Sequence, residues 1–271
     1  MTTLDFLFEN WHLNIFSLII TVLLISFHLI TNGYRLRKKS LNFFGGIFLL
    51  LLSTFSPLDY LGRNYLFSAH MVEHIILLLV IPPMLLTGTS KEFLLKVFSR
   101  EKYQKAGKII FNPFIAWFFG VGSMWFWHIP VFFRLIKFYP VVHFVQMFSL
   151  LILGLIFIWP VFTPVQFKKI DALQSTFYLF SACVGCTILG ILITFAPAGL
   201  YTVYYTGNNT AVLNLIQNRW GITSEIDQQM GGLIMWVPAC FVYLTNIMIT
   251  LFKWYKKSEF DDSDEIILHK G

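Results

Sequence analysis

Two imidazoles and a carboxylate open an otherwise apolar stretch, Ser68-Ala69-His70-Met71-Val72-Glu73-His74, which runs on through Ile75–Ile81 to Pro82-Pro83. On a helix, residues four apart share a face, so His70 and His74 stack with Glu73 beside them. Ionisable groups at membrane depth cost several kcal/mol unless paired, which makes each a site candidate. Neutral imidazole is a common metal ligand, and a carboxylate beside it typically fixes the ring tautomer. The same five residues match the H-x-x-E-H zinc-peptidase pattern, in which Glu would activate water. So short a match, with no evident substrate gate, carries little weight, and we expect no enzymatic activity.

Other histidines and methionines join them. Met124 precedes His128 by four residues, and His143 precedes Met147 by four, so each pair shares one helix face. Met71 adjoins His70, about 100° round the helix. Asp227-Gln228-Gln229-Met230 opens the last apolar run. Imidazole with thioether suits copper, particularly Cu(I), better than hard cations. The expected ligands are therefore His70, His74, His128 and His143, supported by Met124 and Met147, with Glu73 or Asp227 holding a histidine in its tautomer. Plainer readings exist for each. Membrane histidines often bond between helices, methionines often only pack, and His12 and His128 suit an interface.

To present such a face the chain needs membrane helices, and its composition agrees. Of 271 residues, 56% are hydrophobic and only 13% charged, about half the charged share of a soluble domain. The net charge of +6 is no nucleic-acid signal, because the basic residues lie in short loops. No cleavable signal peptide is evident, since Asp5 and Glu9 precede the first apolar run. At about 20 residues per span, we read an all-α polytopic membrane protein with seven transmembrane helices: Leu13–Thr31, Leu41–Leu58, Leu66–Thr87, Pro113–His128, Val141–Pro160, Ser175–Ala196 and Gln228–Lys253. Residues 1–257 form a single seven-helix domain and 258–271 an acidic cytoplasmic tail, expected to be disordered.

Charge sets the orientation. Arg35, Arg37, Lys38, Lys39, then six residues from Lys91 to Lys108, then Lys168, Lys169, and finally Lys253, Lys256, Lys257 and Lys270 fall in one set of alternating loops. Only Arg63, Arg134, Lys137 and Arg219 fall in the other. The N-terminus is therefore expected outside and the C-terminus in the cytoplasm. His70 and His74 then lie roughly 6 and 12 Å below the outer surface at 1.5 Å per residue. His12, His128 and His143 share that outer layer, whereas His28 and His269 lie on the cytoplasmic side.

Several further features carry expectations. Pro82-Pro83 should kink or end the third span near Leu78–Ile81, and Pro238 should bend the seventh. Tyr201, Tyr204, Tyr205 and Trp220 suggest an aromatic belt. Leu213, Ile216 and Trp220 suggest a short helix on the outer surface. Cys183 and Cys186 share a face of the sixth span, and Cys240 is near the middle of the seventh. They read either as small packing residues or as a deeper Cu(I) way-station. The seventh span lacks an internal lysine, which argues against a retinal pigment, and the absence of internal repeats argues against a transporter of repeated halves.

Four segments together resemble the CtaG family of cytochrome c oxidase assembly factors. These are Ser68-Ala69-His70-Met71 through Pro82-Pro83 with Gly88, Trp127-His128-Ile129-Pro130, His143 in a span ending Trp159-Pro160, and Asp227-Gln228-Gln229-Met230-Gly231-Gly232, similar to the family's D-Q-Q-x-G-G signature. The resemblance covers about residues 10 to 255. It implies a seven-helix, multi-pass protein of the cell inner (plasma) membrane that helps build a haem-copper oxidase by handling copper on the outer side, through His70, His128, His143 and Asp227. Its expected partners are an oxidase subunit and membrane lipid. The alternatives are a haem-binding electron-transfer protein, with haem held for example by His74 and His143, or a metal-free scaffold.

Overall fold

The structure, a computed structural model, describes residues 2–32, 38–201 and 209–268. Arg35, Arg37, Tyr204, Tyr205, His269 and Lys270 lie outside the described residues. Those described are helical and contain no strand. The order is α1 Thr3–Glu9, α2 Ile15–Thr31, α3 Ser40–Phe55, α4 Pro57–Asn64, α5 Phe67–Ile75, a π-helical turn Ile76–Val80, then α6 Ile81–Gly88. After these come α7 Lys91–Phe98, α8 Glu101–Ile110, α9 Pro113–Trp127, α10 Pro130–Phe138, α11 Pro140–Phe162 and α12 Ala172–Thr194. The last are α13 Thr210–Asn214, a π-helical turn Leu215–Arg219, and α14 Ser224–Leu268.

Four helices are long and apolar enough to cross a bilayer: Phe67–Gly88, Pro140–Phe162, Ala172–Thr194 and Ser224–Lys256. Two bent pairs raise the number to as many as six, α3 with α4 at 48° and α8 with α9 at 56°. The first expected span, Leu13–Thr31, falls on α2, which has only 17 residues. The second is shortened because Pro57 cannot continue α3, so extended Ser56 caps a new helix. This is a membrane protein of four to six crossing helices by length and composition.

The span Phe67–Gly88 is the central post, with two thirds of it buried. It packs on α3, α4, α11 and α14. Pro82 and Pro83 lack the N–H groups that would bond the carbonyls of Leu78 and Leu79. The helix neither ends nor breaks there, because the π-helical turn Ile76–Val80 absorbs the change and α6 carries on. α11 comes close at this point, since a Cβ on Gly154 would lie 2.5 Å from the Leu78 carbonyl oxygen and 2.6 Å from Pro82 Cγ. α12 and α14 pack along their length, with Gly190 and Gly232 at their closest approach. α14 runs through Pro238 and on to Leu268, where composition predicts a disordered tail. Extending a formed helix costs far less than nucleating one, which favours the continuation.

A second apolar cluster lies at the start of α5. Phe6 of α1 packs with Val212, Leu215 and Ile216 of the α13 segment over Tyr65, Leu66 and Ala69. The short helix expected around Leu213–Trp220 is present as α13 and the π-helical turn after it, pinned by Trp220 Nε1 donating to Thr3 Oγ1 at 3.2 Å. Tyr201 is not part of an interfacial belt. It is 6% exposed and stacks on Phe67 with centroids 4.6 Å apart.

Membrane helices gain little from hydrophobic burial, so close backbone approach matters more. A Cβ on Gly232 would lie 2.3 Å from Thr194 Oγ1 and 2.7 Å from its amide nitrogen. Gly232→Ala should therefore destabilise the detergent-solubilised protein by about 1–3 kcal/mol. Gly122→Ala, where a Cβ meets nothing within 4 Å, should instead stabilise by about 0.5–1 kcal/mol. Thermal unfolding of both variants checks this, and equal effects would count against the packing described.

Candidate functional site

α5 begins without a side-chain cap, because its N-cap position is Leu66. In apolar surroundings its first amides would be left unsatisfied. Asp227 of α14 satisfies them from 160 residues away. The Phe67 amide donates to Oδ2 at 2.6 Å, and the Ser68 amide and hydroxyl donate to Oδ1 at 3.0 and 2.5 Å. A carboxylate at a helix N-terminus also meets the positive end of the macrodipole. This cap sets the depth and register of His70, His74 and Glu73 in the next two turns.

The four spanning histidines then meet. His70 and His74 lie 4.3 Å apart between ring centroids, His70 and His143 lie 5.9 Å apart, and His74 and His128 lie 5.3 Å apart. His70 and His74 are wholly buried, and His128 and His143 nearly so. Ligand atoms of His70, Glu73 and His143 fall within 4.8 Å of one another, with Glu73 Oε2 3.5 Å from His70 Nδ1. Gly62 of α4 permits this packing, since a Cβ there would lie 3.2 Å from Glu73 Oε2.

His128 shows how the site is tuned. α9 stops at Trp127 because Pro130 comes soon after, which leaves last-turn carbonyls exposed. His128 Nδ1 donates to one of them, that of Met124. Tyr201 donates its hydroxyl to the carbonyl of His128 at 3.0 Å. With the proton on Nδ1, Nε2 carries a lone pair, and it faces Met71 Sδ at 3.1 Å. Neither of these atoms has a hydrogen to share. Two soft donors converging in this way fit a metal ion better than a hydrogen bond.

Other buried polar atoms point the same way. His143 Nε2 has no hydrogen-bond partner among the described residues, and His74 stands beside the Gln146 side chain. Buried polar groups without partners are rare and costly, and they ask for a ligand. Beside them a cavity of about 60 Å³ is lined by His143, Met147, Arg63, Asn14 and Ser17 among others. His12 Nε2 and Arg63 Nε both reach buried Asp59 Oδ2, at 2.6 and 2.7 Å.

The expected ligand set is thus gathered in part. His70, Glu73, His74, His128 and His143 come together, and Met147 lines the cavity beside His143. Met124 does not join them, because its sulfur turns to Cys186 Sγ at 2.9 Å. Asp227 does not touch a histidine, because its oxygens are taken by α5. Sequence reasoning placed Met71 off the face and passed over Gln146, although a glutamine three residues after His143 in an apolar span was a usable signal. It also did not pair His12 with Asp59 and Arg63.

A sequence model of the cytochrome c oxidase caa3 assembly factor family matches residues 20–257. The chain belongs to this family. No curated protein and no solved structure matches it.

Membership sharpens the reading of the D-Q-Q-x-G-G segment, because each of four positions ties α14 to a neighbour. Asp227 caps α5. Gln228 Nε2 donates to the carbonyls of Ile193, Ala196 and Pro197 at the end of α12, the shortest at 3.0 Å. A Cβ on Gly231 would lie 2.3 Å from the ring of Phe67, and Gly232 admits Thr194. The segment is a junction between helices rather than a ligand set. Asp227→Ala should cost about 1–3 kcal/mol by leaving buried donors unpaired, and Asp227→Asn, which keeps an acceptor, should cost less. Thermal unfolding in detergent reads both, and an Asp227→Ala variant as stable as wild type would refute the cap.

Proposed function

We propose that this assembly factor takes up copper in the outer half of the membrane and hands it laterally to a subunit of cytochrome c oxidase. In this reading the chain has seven spans, with α2 as the first, its N-terminus outside and its C-terminus in the cytoplasm, and it lies in the cell inner (plasma) membrane. It acts as a carrier, not as a catalyst, and copper is its cargo. The observation that carries the reading is the lone pair of His128 Nε2 directed at the Met71 thioether, within a buried layer that also holds His70, His74 and His143.

The donor set fits the ion. Imidazole and thioether suit Cu(I), and neutral ligands at this depth avoid burying further charge. Glu73, facing His70, orients that ring and balances the charge of the ion. His143 and Met147 border the small cavity, so they stand where an ion would reach the layer. Haem finds less support. The rings pack at centroid distances of 4.3 to 5.9 Å, and the adjoining cavity of about 60 Å³ is several-fold smaller than the sites that hold ligands of such size.

The test is elemental analysis of purified protein loaded anaerobically with Cu(I), beside a His70→Ala/His143→Ala double variant. Wild type should retain copper in proportion to protein and the double variant should lose it. Glu73→Gln should weaken binding by about 10–100-fold. Equal, background retention in all three would leave the histidines as a structural network and favour a metal-free scaffold.

A further inference from the structure

Well along α14 from Asp227 stands a cluster of charge that the histidine layer does not use. Lys253 lies about 39 Å from Asp227 along that helix at 1.5 Å per residue. Its Nζ stands over the ring of Phe162, 5.1 Å from the centroid. Lys169, between α11 and α12, and Lys39, beside the start of α3, are near enough for their charges to act on Lys253. Lys253 and Lys169 line a pocket of about 420 Å³ with Gln166, Ser175 and Trp254 among others. One carboxylate lines it too, that of Asp171. It is already engaged as the cap of α12, accepting from the Gln174 amide at 2.7 Å.

Ser175 gives the pocket a demand of its own. It is 1% exposed, and its hydroxyl has no hydrogen-bond partner among the described residues. It stands just inside the N-terminus of α12, and Ala172, the first residue of that helix, lines the same pocket. The positive end of the helix macrodipole therefore adds to the lysines. A buried hydroxyl, two ammonium groups and a helix N-terminus together suit an anion with several oxygens. A second cavity, of about 450 Å³, adjoins the first and shares Phe162 and Lys253 with it. Its mostly apolar walls include Leu79, Pro83 and Met84 of the central span and Phe241, Val242 and Ile249 of α14.

We propose that the two cavities together hold one anionic phospholipid, with its phosphate in the lysine pocket and an acyl chain along the groove between the central span and α14. Lys253 joins the two halves, because a lysine can lay its aliphatic stem along apolar surface and keep its ammonium at the polar end. Charge complementarity selects the headgroup, and basic pockets between membrane helices are where acidic headgroups bind. A soluble anion would leave the groove unused. A zwitterionic lipid would fill the groove but bring its own ammonium against the lysines. The site is separate from the histidine layer and does not rest on the copper reading.

The test is native mass spectrometry of the delipidated full chain in detergent, titrated with phosphatidylglycerol, with phosphatidylcholine of the same acyl chains, or with inorganic phosphate. Phosphatidylglycerol should add as one tightly held molecule per chain, and phosphatidylcholine should bind about tenfold more weakly. Lys169→Ala and Lys253→Ala should each weaken phosphatidylglycerol binding by about fivefold. Both lysines are exposed, so neither change threatens the fold. Ser175→Ala should weaken binding by about tenfold without lowering the thermal stability of the lipid-free protein, since it deletes a group that has no partner there. Equal binding of the two lipids, or wild-type affinity in the lysine and serine variants, would overturn the proposal. Inorganic phosphate binding as tightly as phosphatidylglycerol would also overturn it, by showing an anion pocket that does not select a lipid.

Discussion

The carboxylate of Asp227 at the start of α5 is the interaction on which the rest of the site depends. α5 starts at a buried position with an apolar residue at its N-cap, so neither water nor a local side chain can satisfy its first amides. A charge brought from α14 does so with three hydrogen bonds. The next residue, Gln228, does the corresponding service for the carbonyl end of α12. One turn of α14 therefore sets the relative height of three helices. His70 sits two residues beyond the capped Ser68, so the depth of the histidine layer is fixed by this junction.

Within that layer the polar groups are costly, and the fold manages the cost unevenly. His128 is oriented on both sides, with its ring nitrogen on the carbonyl of Met124 and its own carbonyl on Tyr201. Asp59 is surrounded by His12 and Arg63. His143 Nε2 receives no such support among the described residues, and His74 has the Gln146 side chain beside it. Partner groups thus surround an imidazole nitrogen that lacks a hydrogen bond, and α1 with the α13 segment packs over the start of α5.

Packing explains how helices with so little polar adhesion hold these positions. Lipid is as apolar as the side chains, so contact area alone does not favour helix association. Gly154 brings α11 against the proline-altered turn of the central span. Gly190 and Gly232 bring α12 against α14. The π-helical turn before Pro82 rotates α6 relative to α5, so the polar and apolar halves of the central span need not present the same face.

Much of this protein was legible in the chain alone. Apolar run lengths gave the helices, because each span must satisfy its own backbone. The i,i+4 spacing of His70 and His74 placed both on one face, and the family was readable from four ordered motifs. The second span was overestimated because Ser56-Pro57 starts a new helix. The roles of particular side chains were not legible, because they depend on contacts between residues far apart in sequence. Asp227 resembled a ligand partner until the uncapped end of α5 claimed both its oxygens. Met124 shares a helix face with His128, yet the ring bonds that residue's carbonyl while its sulfur turns to α12. Met71 was set aside by its angle on its own helix, and it meets His128 only because α9 ends beside α5. Local periodicity determines which residues share a face. Which face meets which, and at what height, was decided by caps and glycine contacts that only the tertiary structure brings together.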